Sequence, residues 1–294
     1  EAKTLFERAA QADPSWGEPV TNLGVLQWTA GQREAAFELL EKGFILTPVV
    51  ADLAERYHAA AVSIGALARA EKVFREARRL HPACRTIAFL LIDLLISQEK
   101  HAEAMEEIEA AMAAFEVDGG FIDAALEVRR QLGPMAIGDK TPRPTLSLCM
   151  IVRNEQPNLV RCLSSVKAAV DEIVIVDTGS TDRTKDLAAV FGARVFDFAW
   201  TDDFSSARNV SLSQAKGDWI LVLDADETLS PADHRKLREL IRKSPKRIGG
   251  YDLATRNYVM EANTAGWTAN DGSYPAEEAG TGWYANRKVR LFRN

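Results

Sequence analysis

Two carboxylates, Asp224 and Asp226, stand one residue apart directly after the apolar run from Trp219 to Leu223. Carboxylate oxygens are the ligands that Mg²⁺ and Mn²⁺ accept most readily, and a metal held by such a pair can neutralise charge on a departing diphosphate. Two acidic residues after a strand can also do no more than cap a turn. The D-x-D spacing leaves both interpretations open, so the surrounding residues must decide between them.

The same segment permits a second chemistry. Residues 224–229 also read as D-x-D-x-T-L, the nucleophile motif of haloacid-dehalogenase-type phosphatases. That motif normally opens its domain, whereas here three strand and helix units precede it. The residues that follow also lack an apolar strand ending in paired aspartates. We therefore keep a phosphatase as the lesser alternative.

Polar residues also follow two earlier apolar runs. The run 146–152 is followed by Asn154 and Glu155, and the run 172–176 is followed by Asp177. Helical patterns near 157–168, 182–191 and 204–216 separate these runs from each other and from further runs at 193–196 and 219–223. We predict a parallel sheet covered by helices on both faces. Ligands of such sheets bind at the carboxyl ends of the strands, where these polar residues lie.

Each of these residues also has a structural interpretation. Asn154 and Glu155 can be simple turn residues, and Arg208, on the third helix, can form a surface salt bridge. Asp182 follows Asp177 by five residues, and we assign it to the cap of the next helix. The residues by themselves leave these alternatives open.

Four motifs occur together in a fixed order, at Ser147 to Glu155, Ile173 to Asp182, Ala207 to Asn209 and Ile220 to Glu227. The ordered set resembles family 2 of the glycosyltransferases over residues 145 to about 230. The resemblance implies a GT-A fold, which is an α/β domain whose mostly parallel, Rossmann-like sheet binds a nucleotide-sugar. Bacterial members that pair this domain with tetratricopeptide repeats are similar to the whole chain.

The resemblance also implies a reaction and the residues that serve it. It implies a metal-dependent inverting transfer, in a single displacement, from a nucleotide-sugar, for which we favour a UDP-sugar. The implied cofactor is Mn²⁺ or Mg²⁺, with Asp226 as the first choice of ligand and Asp224 bound to the metal or to the ribose. The implied contacts to the donor nucleotide are Asn154, Glu155, Asp177, Arg208 and Asp224.

The base that deprotonates the acceptor is not identified by these motifs. Inverting relatives use a carboxylate, which contributes a factor of about 10² to 10⁴ in rate. Asp271, Glu277 and Glu278 are candidates in the tail that follows the metal motif. Relatives normally continue past a segment like 290–294 into a further acidic motif that supplies the base. We therefore expect the domain to be incomplete at its C-terminus, and this chain to bind the donor yet transfer sugar poorly.

The N-terminal part of the chain has a different pattern, a repeat of 34 residues. Prolines recur at that period, and so do three columns of small or large apolar residues, while Gly31 and Gly65 fall between paired helices. We predict an all-α, tetratricopeptide-like solenoid with helix pairs near 17–30 and 33–46, 51–64 and 67–80, and 85–97 and 101–114, followed by a capping helix near 119–132. The members of the pattern are Pro14, Pro48 and Pro82, then Ala2, Ala36, Ala70 and Ala104, then Phe6, Leu40, Phe74 and Ile108, then Ala9, Gly43, Ala77 and Ala111.

Arrays of this kind bind peptides or partner proteins on their concave face. The other interpretation is that the array only supports the neighbouring domain or joins it into a homodimer. For the whole chain, the competing class is a non-catalytic scaffold, in which the repeats recruit partners and a transferase-like domain binds nucleotide without turnover.

Composition argues against several other classes. The 294 residues carry a net charge of −6, which disfavours general affinity for nucleic acid or anionic membrane. The longest apolar stretch, 86–96, is too short to span a bilayer. Three cysteines without C-x-x-C spacing indicate reduced thiols and a cytoplasmic protein. Glycine and proline crowd between 133 and 144, so we predict a repeat domain at 1–132, a linker at 133–144 and a transferase domain at 145–294.

Overall fold

The structure is a computed structural model that describes residues 1–138, 143–262 and 265–294. It divides into two compact units, Glu1–Asp118 and Gly119–Asn294. Residues 139–142 of the predicted linker lie outside the described residues. Across the part that is described, no helix combines the length and the apolar character needed to cross a membrane.

The first unit, which is described throughout, consists of seven α-helices. They pack pairwise, in agreement with the predicted tetratricopeptide-like array. Their bounds are α1 Ala2–Ala12, α2 Gly17–Thr29, α3 Arg33–Leu46, α4 Ala51–Ile64, α5 Leu67–Leu80, α6 Arg85–Ser97 and α7 His101–Ala114. The predicted turn glycines Gly31 and Gly65 have φ values of 82° and 73°, a left-handed conformation that suits glycine.

The apolar columns of the repeat form the core of this unit. Ala36, Ala70 and Ala104 are completely buried, and so are the large residues one turn later in each helix, which are 0 to 3% exposed. Tyr57 fills the space between repeats, with its ring stacked 5.3 Å from Phe37 and 5.7 Å from Phe74. The large side chains thus occupy the seams that the small residues leave open, as the sequence predicts.

Helices α2 and α3 approach closely at a pair of glycines, Gly17 and Gly43. A Cβ atom added to Gly43 would overlap the Thr21 hydroxyl and lie 2.9 Å from the carbonyl oxygen of Gly17. Two of the atoms in the way belong to the backbone, so side-chain movement cannot relieve the overlap. The small residue at this position is therefore required by the distance between the helices.

We expect Gly43→Ala to lower the free energy of unfolding by about 1–3 kcal/mol, because the overlap outweighs alanine's better helix propensity. Urea unfolding followed by circular dichroism measures the change. The adjacent exposed residue provides a control, since Lys42→Ala should change stability by no more than about 0.5 kcal/mol. A Gly43→Ala variant as stable as the Lys42→Ala variant would contradict the close approach.

The second unit combines five α-helices with seven β-strands, counted over its described residues. In chain order they are α8 Gly119–Leu132, β1 Leu146–Val152, α9 Gln156–Val166, β2 Glu172–Asp177, α10 Thr184–Val190, β3 Arg194–Asp197, α11 Phe204–Gln214, β4 Trp219–Val222, α12 Pro231–Lys243, β5 Gly250–Val259, β6 Thr268–Ala269 and β7 Gly282–Arg293. Alternating strands and helices produce the predicted α/β domain. Asp203 caps α11 by accepting from Ser205 N at 2.8 Å.

The seven strands form one sheet in the order β3-β2-β1-β4-β7-β5, with β6 paired to β7. The first four strands in this order are parallel, as predicted. Strand β7 then runs antiparallel to both β4 and β5. The tail after the metal motif therefore extends the sheet with antiparallel strands, which the sequence pattern does not predict.

Helix α8 belongs to the second unit, although its periodicity groups it with the repeats. Arg129 Nε donates to Val190 O at 2.8 Å, and Met135 N, just after the helix, donates to Gly192 O at 2.8 Å. The compact units divide between Asp118 and Gly119. The domain limits drawn from the sequence rest on periodicity and stay a prediction.

A buried ion pair joins the strands at their amino ends. Glu172 is 1% exposed, and its carboxylate accepts from Arg194 Nη2 at 2.9 Å and from Ser147 Oγ at 2.5 Å. It also accepts from the backbone N–H groups of Lys216 and Gly217, which lead into β4. One side chain of β2 therefore contacts β1, β3 and the start of β4.

Candidate active site

The carboxyl ends of β1, β2 and β4 lie side by side, because β1 pairs in parallel with both of the other strands. Val152 and Asp177 are partners at the end of the first ladder, and Thr178 N donates to Val152 O at 3.0 Å. The three loops that follow these strands meet at one edge of the sheet. This edge is the place where an α/β sheet binds its ligands, and it carries the predicted site residues of all three loops.

Asp177 presents a carboxylate oxygen that lacks a donor. The residue is 1% exposed, and its Oδ1 accepts from Gly179 N at 3.0 Å and from Ser180 N at 2.8 Å. Its Oδ2 is buried and has no hydrogen-bond partner within the described residues. A buried carboxylate oxygen without a donor is unfavourable by itself. Oδ2 is therefore the one carboxylate oxygen of Asp177 that the described residues leave without a donor.

Asn154 fastens the loop after β1 to the loop after β2. Its Oδ1 accepts from Thr181 N at 2.8 Å, and its own N donates to Ser180 Oγ at 2.8 Å. Its φ is 54°, a left-handed conformation that asparagine tolerates better than most residues. The side-chain oxygen of Asn154 is thus already used, and its predicted contact with a nucleotide stays a prediction.

Glu155 and Asp182 organise the beginnings of α9 and α10. Asp182 Oδ1 accepts from Thr184 N at 3.0 Å, and its Oδ2 accepts from Gln156 N at 3.2 Å, so Asp182 binds the first residues of both helices, although the N-cap of α10 itself is Arg183. Glu155 N donates to Thr184 Oγ1 at 2.8 Å, while its carboxylate accepts from Asn158 Nδ2 at 3.0 Å. The predicted nucleotide contact of Glu155 stays a prediction.

Asp224 lies between two arginines. Its Oδ2 accepts from Arg290 Nη2 at 3.1 Å, and its Oδ1 lies 3.4 Å from Arg208 Nη2. Burial by itself raises the pKa of the Asp224 carboxyl, but the hydrogen bond and charge of Arg290, together with the charge of Arg208, outweigh it and hold the pKa below its usual value. Asp224 is therefore ionised and already charge-compensated.

Both arginines keep nitrogen atoms without partners. Arg208 Nη1 and Arg290 Nε are buried and make no hydrogen bond with the described residues. Buried donors of a charged group are costly to leave unpaired. Donors therefore flank Asp224 on two sides, which suits the binding of an anion.

Asp226 differs from Asp224 in having a free carboxylate. The residue is exposed, and only its backbone carbonyl is engaged, by Arg161 Nη2 at 3.1 Å, among the contacts of the described chain. The described residues contain no group of three or more His, Cys, Asp or Glu side chains that could hold a metal. A cation here would therefore take Asp226 from the chain and further oxygens from a ligand or water, and an exposed, unpaired carboxylate fits that role.

Two of the three base candidates are tied to Arg256. The guanidinium lies 3.4 Å from Asp271 Oδ1 and 3.8 Å from Glu278 Oε1. Hydrogen bonds from Ser273, with the Arg256 contact, lower the pKa of the Asp271 carboxyl to about 2. A general base works best with a pKa near the operating pH, so Asp271 is poorly matched to that task.

Glu277 is the candidate whose carboxylate is not engaged. Its backbone N–H donates to Tyr274 O at 3.0 Å, whereas its half-buried side chain makes no hydrogen bond or ion pair with the residues that the structure describes. The structure thus separates the three candidates, which the sequence treats alike.

Sequence reasoning missed two residues of this site, Glu227 and Arg290. Glu227 Oε1 accepts from Arg290 Nη2 at 2.6 Å, and its Oε2 accepts from Asp224 N at 3.0 Å. Glu227 lies inside the acidic motif, so its negative charge could be read from the sequence. Its partner, Arg290, could not. Arg290 is distant in sequence and reaches Asp224 only because β7 pairs with β4.

Comparison with known proteins identifies the domain that carries this site. Residues 147–275 match the family model described as Glycosyl transferase family 2. The chain is 58% identical over 84 residues to a TPR repeat-containing protein of Synechococcus elongatus, an alignment that covers 29% of this chain and 21% of that protein. It is 34% identical over 106 residues to the prophage-derived glycosyltransferase SunS of Bacillus subtilis, covering 35% of this chain and 25% of that protein.

The chain therefore spans about a fifth to a quarter of the length of these two relatives. Among solved structures, a MamA fragment from Desulfovibrio magneticus RS-1 is similar at 16% identity and a TM-score of 0.35, covering 44% of this chain and 73% of that one.

Proposed function

The chain carries a family 2 glycosyltransferase domain at residues 147–275, and from this premise we propose that it transfers a sugar from a nucleotide-sugar to an acceptor. The observation that carries the proposal is the presence, at one edge of the sheet, of two complementary groups: the buried acceptor Asp177 Oδ2, which lacks a donor, and the free, exposed carboxylate of Asp226. The first suits a nucleobase, and the second suits a cation that accompanies a diphosphate. A nucleoside diphosphate can use both.

The donor favoured by Asp177 is a uridine nucleotide. Its Oδ2 needs a hydrogen-bond donor, and uracil presents a single ring N–H that one oxygen satisfies. Adenine and cytosine present an amino donor beside a ring nitrogen that is itself an acceptor and would face the carboxylate unpaired. Guanine presents an N–H and an amino group together, but Asp177 has only one oxygen left, because its Oδ1 is used by the backbone of Gly179 and Ser180. We therefore favour a UDP-sugar over a GDP-sugar.

The residues that would hold Mn²⁺ or Mg²⁺ are Asp226 first and Asp224 second, since Asp224 is already paired with two arginines. A bound cation supplies neutralisation of the charge that develops on the departing diphosphate. We assign Arg208 to the same diphosphate. Its 3.4 Å contact with Asp224 is long, and its buried Nη1 has no partner within the described chain, so it has donors to give.

The acceptor must lose a proton as the new bond forms, and the family's inverting mechanism assigns that proton to a carboxylate. Among the three candidates of this chain we propose Glu277 over Asp271 and Glu278, because ion pairs with Arg256 occupy the other two. For the acceptor itself we propose a peptide or protein, on the ground that helical repeats precede the transferase domain and that such repeats bind polypeptides.

The experiment that tests this function is calorimetric titration of uridine, UDP and GDP into the whole chain, with and without Mn²⁺, repeated on Asp177→Asn. Asparagine keeps an oxygen for Gly179 and Ser180 but replaces the free acceptor by an amino donor. We expect UDP to bind the wild-type chain, with Mn²⁺ strengthening it, and Asp177→Asn to weaken uridine and UDP binding by about 10- to 100-fold, the effect of one mispaired buried group.

Asp197→Asn is the matched control. Asp197 pairs with Asp177 in the β-ladder but is exposed, with a 3.2 Å ion pair to Lys185. This variant should bind UDP as the wild type does. Failure of the wild-type chain to bind any of these nucleotides would contradict the proposed function. Stronger binding of GDP than of UDP would contradict the choice of donor alone.

A further inference from the structure

A β-bulge in the pairing of β5 with β7 determines where Arg290 points. Tyr251 pairs with Leu291 but Asp252 pairs with Val289, so Arg290 is an extra residue without a partner in the ladder. Arg290 is 5% exposed and Leu291 is 0% exposed, so the unpaired arginine is buried beside a neighbour that has a ladder partner. Bulges of this kind redirect a side chain, and they are frequent beside functional sites.

The redirected guanidinium closes a ring of contacts around the metal motif. Arg290 Nη2 donates to Asp224 Oδ2 at 3.1 Å and to Glu227 Oε1 at 2.6 Å. The second oxygen of Glu227 accepts from Asp224 N at 3.0 Å, and Glu227 N donates to Asp224 O at 3.0 Å. Hydrogen bonds therefore fix the turn 224–227 at both ends, through the backbone and the side chains of Asp224 and Glu227. Asp226 lies between them and is exposed.

The charges of this ring matter as much as its geometry. The turn carries three carboxylates, those of Asp224, Asp226 and Glu227. Three guanidiniums contact it, those of Arg208 and Arg290 and, through the carbonyl oxygen of Asp226, that of Arg161. Formal charges of −3 and +3 leave a net charge of about 0, which a divalent cation converts to about +2 before a diphosphate arrives. Without Arg290 the same sum is about +1, so the site attracts an anion less strongly.

A purely structural ion pair between strands accounts for this arrangement less well. Burying an arginine costs several kcal/mol of solvation, and apolar residues can join two strands at lower cost. Here the buried charge contacts the one turn that presents Asp226, and Asp224 remains 43% exposed in its side chain. The geometry favours a role in shaping the turn.

We propose that Arg290 is a positioning residue of the donor site: with Glu227 as its anchor, it fixes the turn 224–227 so that Asp226 meets the cation, and its charge makes the site accept the diphosphate. This proposal rests on the proposed function of the domain. It assigns a role to β7, a strand that contributes none of the nucleotide-binding, metal-binding or base residues predicted from the sequence.

The test separates the diphosphate and metal end of the site from the nucleoside end. Affinities for uridine without metal and for UDP with Mn²⁺ are measured by calorimetry on the whole chain, for the wild type, Arg290→Gln and Arg287→Gln. Arg287 is the control, since it lies on the same strand, is exposed, and pairs with Asp252 at 3.0 Å. We expect Arg290→Gln to weaken the Mn²⁺-dependent binding of UDP by about 10- to 100-fold, the usual effect of losing a residue that orients a metal ligand. Uridine should bind as it does to the wild type, and Arg287→Gln should change neither affinity.

Glu227→Gln provides a second variant, in case Arg290→Gln does not fold. It keeps the shape of the anchor but removes its charge and one of its two acceptors, so it should weaken UDP binding in the same direction. Unfolding midpoints of all variants are measured alongside. Binding of Mn²⁺ and UDP at wild-type strength in both variants overturns the proposal, as does an equal loss of uridine and UDP, which would indicate collapse of the whole site. Absence of nucleotide binding by the wild type contradicts the proposed function instead.

Discussion

Asp226→Ala is expected to lower the rate of sugar transfer, or of donor hydrolysis when no acceptor is present, by about 10³-fold, equivalent to roughly 4 kcal/mol. The reason is that Asp226 is the one carboxylate of the metal motif without a partner in the described chain, whereas Asp224 is compensated by Arg208 and Arg290. Removing Asp226 deletes the oxygen ligand that we propose for the cation. Because the side chain is exposed and unpaired, its loss should leave the fold intact.

Three measurements on this variant locate the defect. Hydrolysis of UDP-sugars reports the chemistry, calorimetry with UDP should lose its dependence on Mn²⁺, and uridine should bind with unchanged affinity because Asp177 is untouched. Asp252→Ala is the control, since Asp252 is an exposed carboxylate on β5 whose ion pair with Arg287 lies at the surface. Full activity in Asp226→Ala would mean that Asp226 is not the metal ligand, and equal losses in both variants would point to a general effect.

Glu172→Ala is expected to lower the free energy of unfolding by about 3–5 kcal/mol, the typical cost of removing one partner of a buried ion pair. Glu172 is 1% exposed and accepts from Arg194, from Ser147 and from the backbone that leads into β4. Removal of its carboxylate leaves the charge of Arg194 uncompensated. It also removes an acceptor from the backbone N–H groups of Lys216 and Gly217. Each of these groups then bears the cost of burial without a hydrogen bond.

Urea unfolding of the whole chain, followed by tryptophan fluorescence, measures this effect, and Trp219, one of the six tryptophans, is buried in the same sheet. Glu239→Ala is the control, because the side chain of Glu239 on α12 is 45% exposed and its ion pair with Lys243 at 3.1 Å should contribute no more than about 0.5 kcal/mol. Glu172→Gln should fall between the two, since it keeps an acceptor but loses the charge. A Glu172→Ala change as small as that of Glu239→Ala would show that the network is dispensable.

The repeat array was predictable because its signal is periodic. One register places Ala36, Ala70 and Ala104 at equivalent positions, and each is buried against a neighbouring helix. Local geometry follows the same logic, since Gly31 and Gly65 adopt the left-handed turn that only glycine enters easily. The third turn of the series, at Glu99 with φ of 58°, has the same conformation without glycine, so composition alone underestimates the regularity of the backbone.

The assignment of α8 shows where periodicity is insufficient. An amphipathic helix next to a repeat resembles a cap of that repeat in sequence, whatever surface it covers. Its hydrogen bonds with the loop around Val190 and Gly192 place it in the second unit. Whether such a helix packs on the repeats or on the neighbouring domain depends on the shape of both surfaces. The hydrophobic periodicity of the sequence does not contain that information.

The sequence by itself determined the strand ends of the candidate site. Asp177, Asp224 and Asp226 follow apolar strands directly, and parallel strands place their carboxyl ends at one edge whatever the rest of the fold does. Local order along the chain is therefore enough to gather these groups. The same argument connected Asp182 with the start of α10, because such a contact depends on neighbours within a few residues.

Only the tertiary structure decided which of these groups are free and which are compensated. Asp224 and Asp226 look alike in sequence, yet one is paired with two arginines and the other is unpaired, because an antiparallel strand from the far end of the chain brings Arg290 beside β4. A bulge then turns that arginine inward, and no residue type marks the bulge in advance. Electrostatic partners are set by distance in space. The contacts of Arg290 join residues more than 60 positions apart, so they could not be predicted from the sequence.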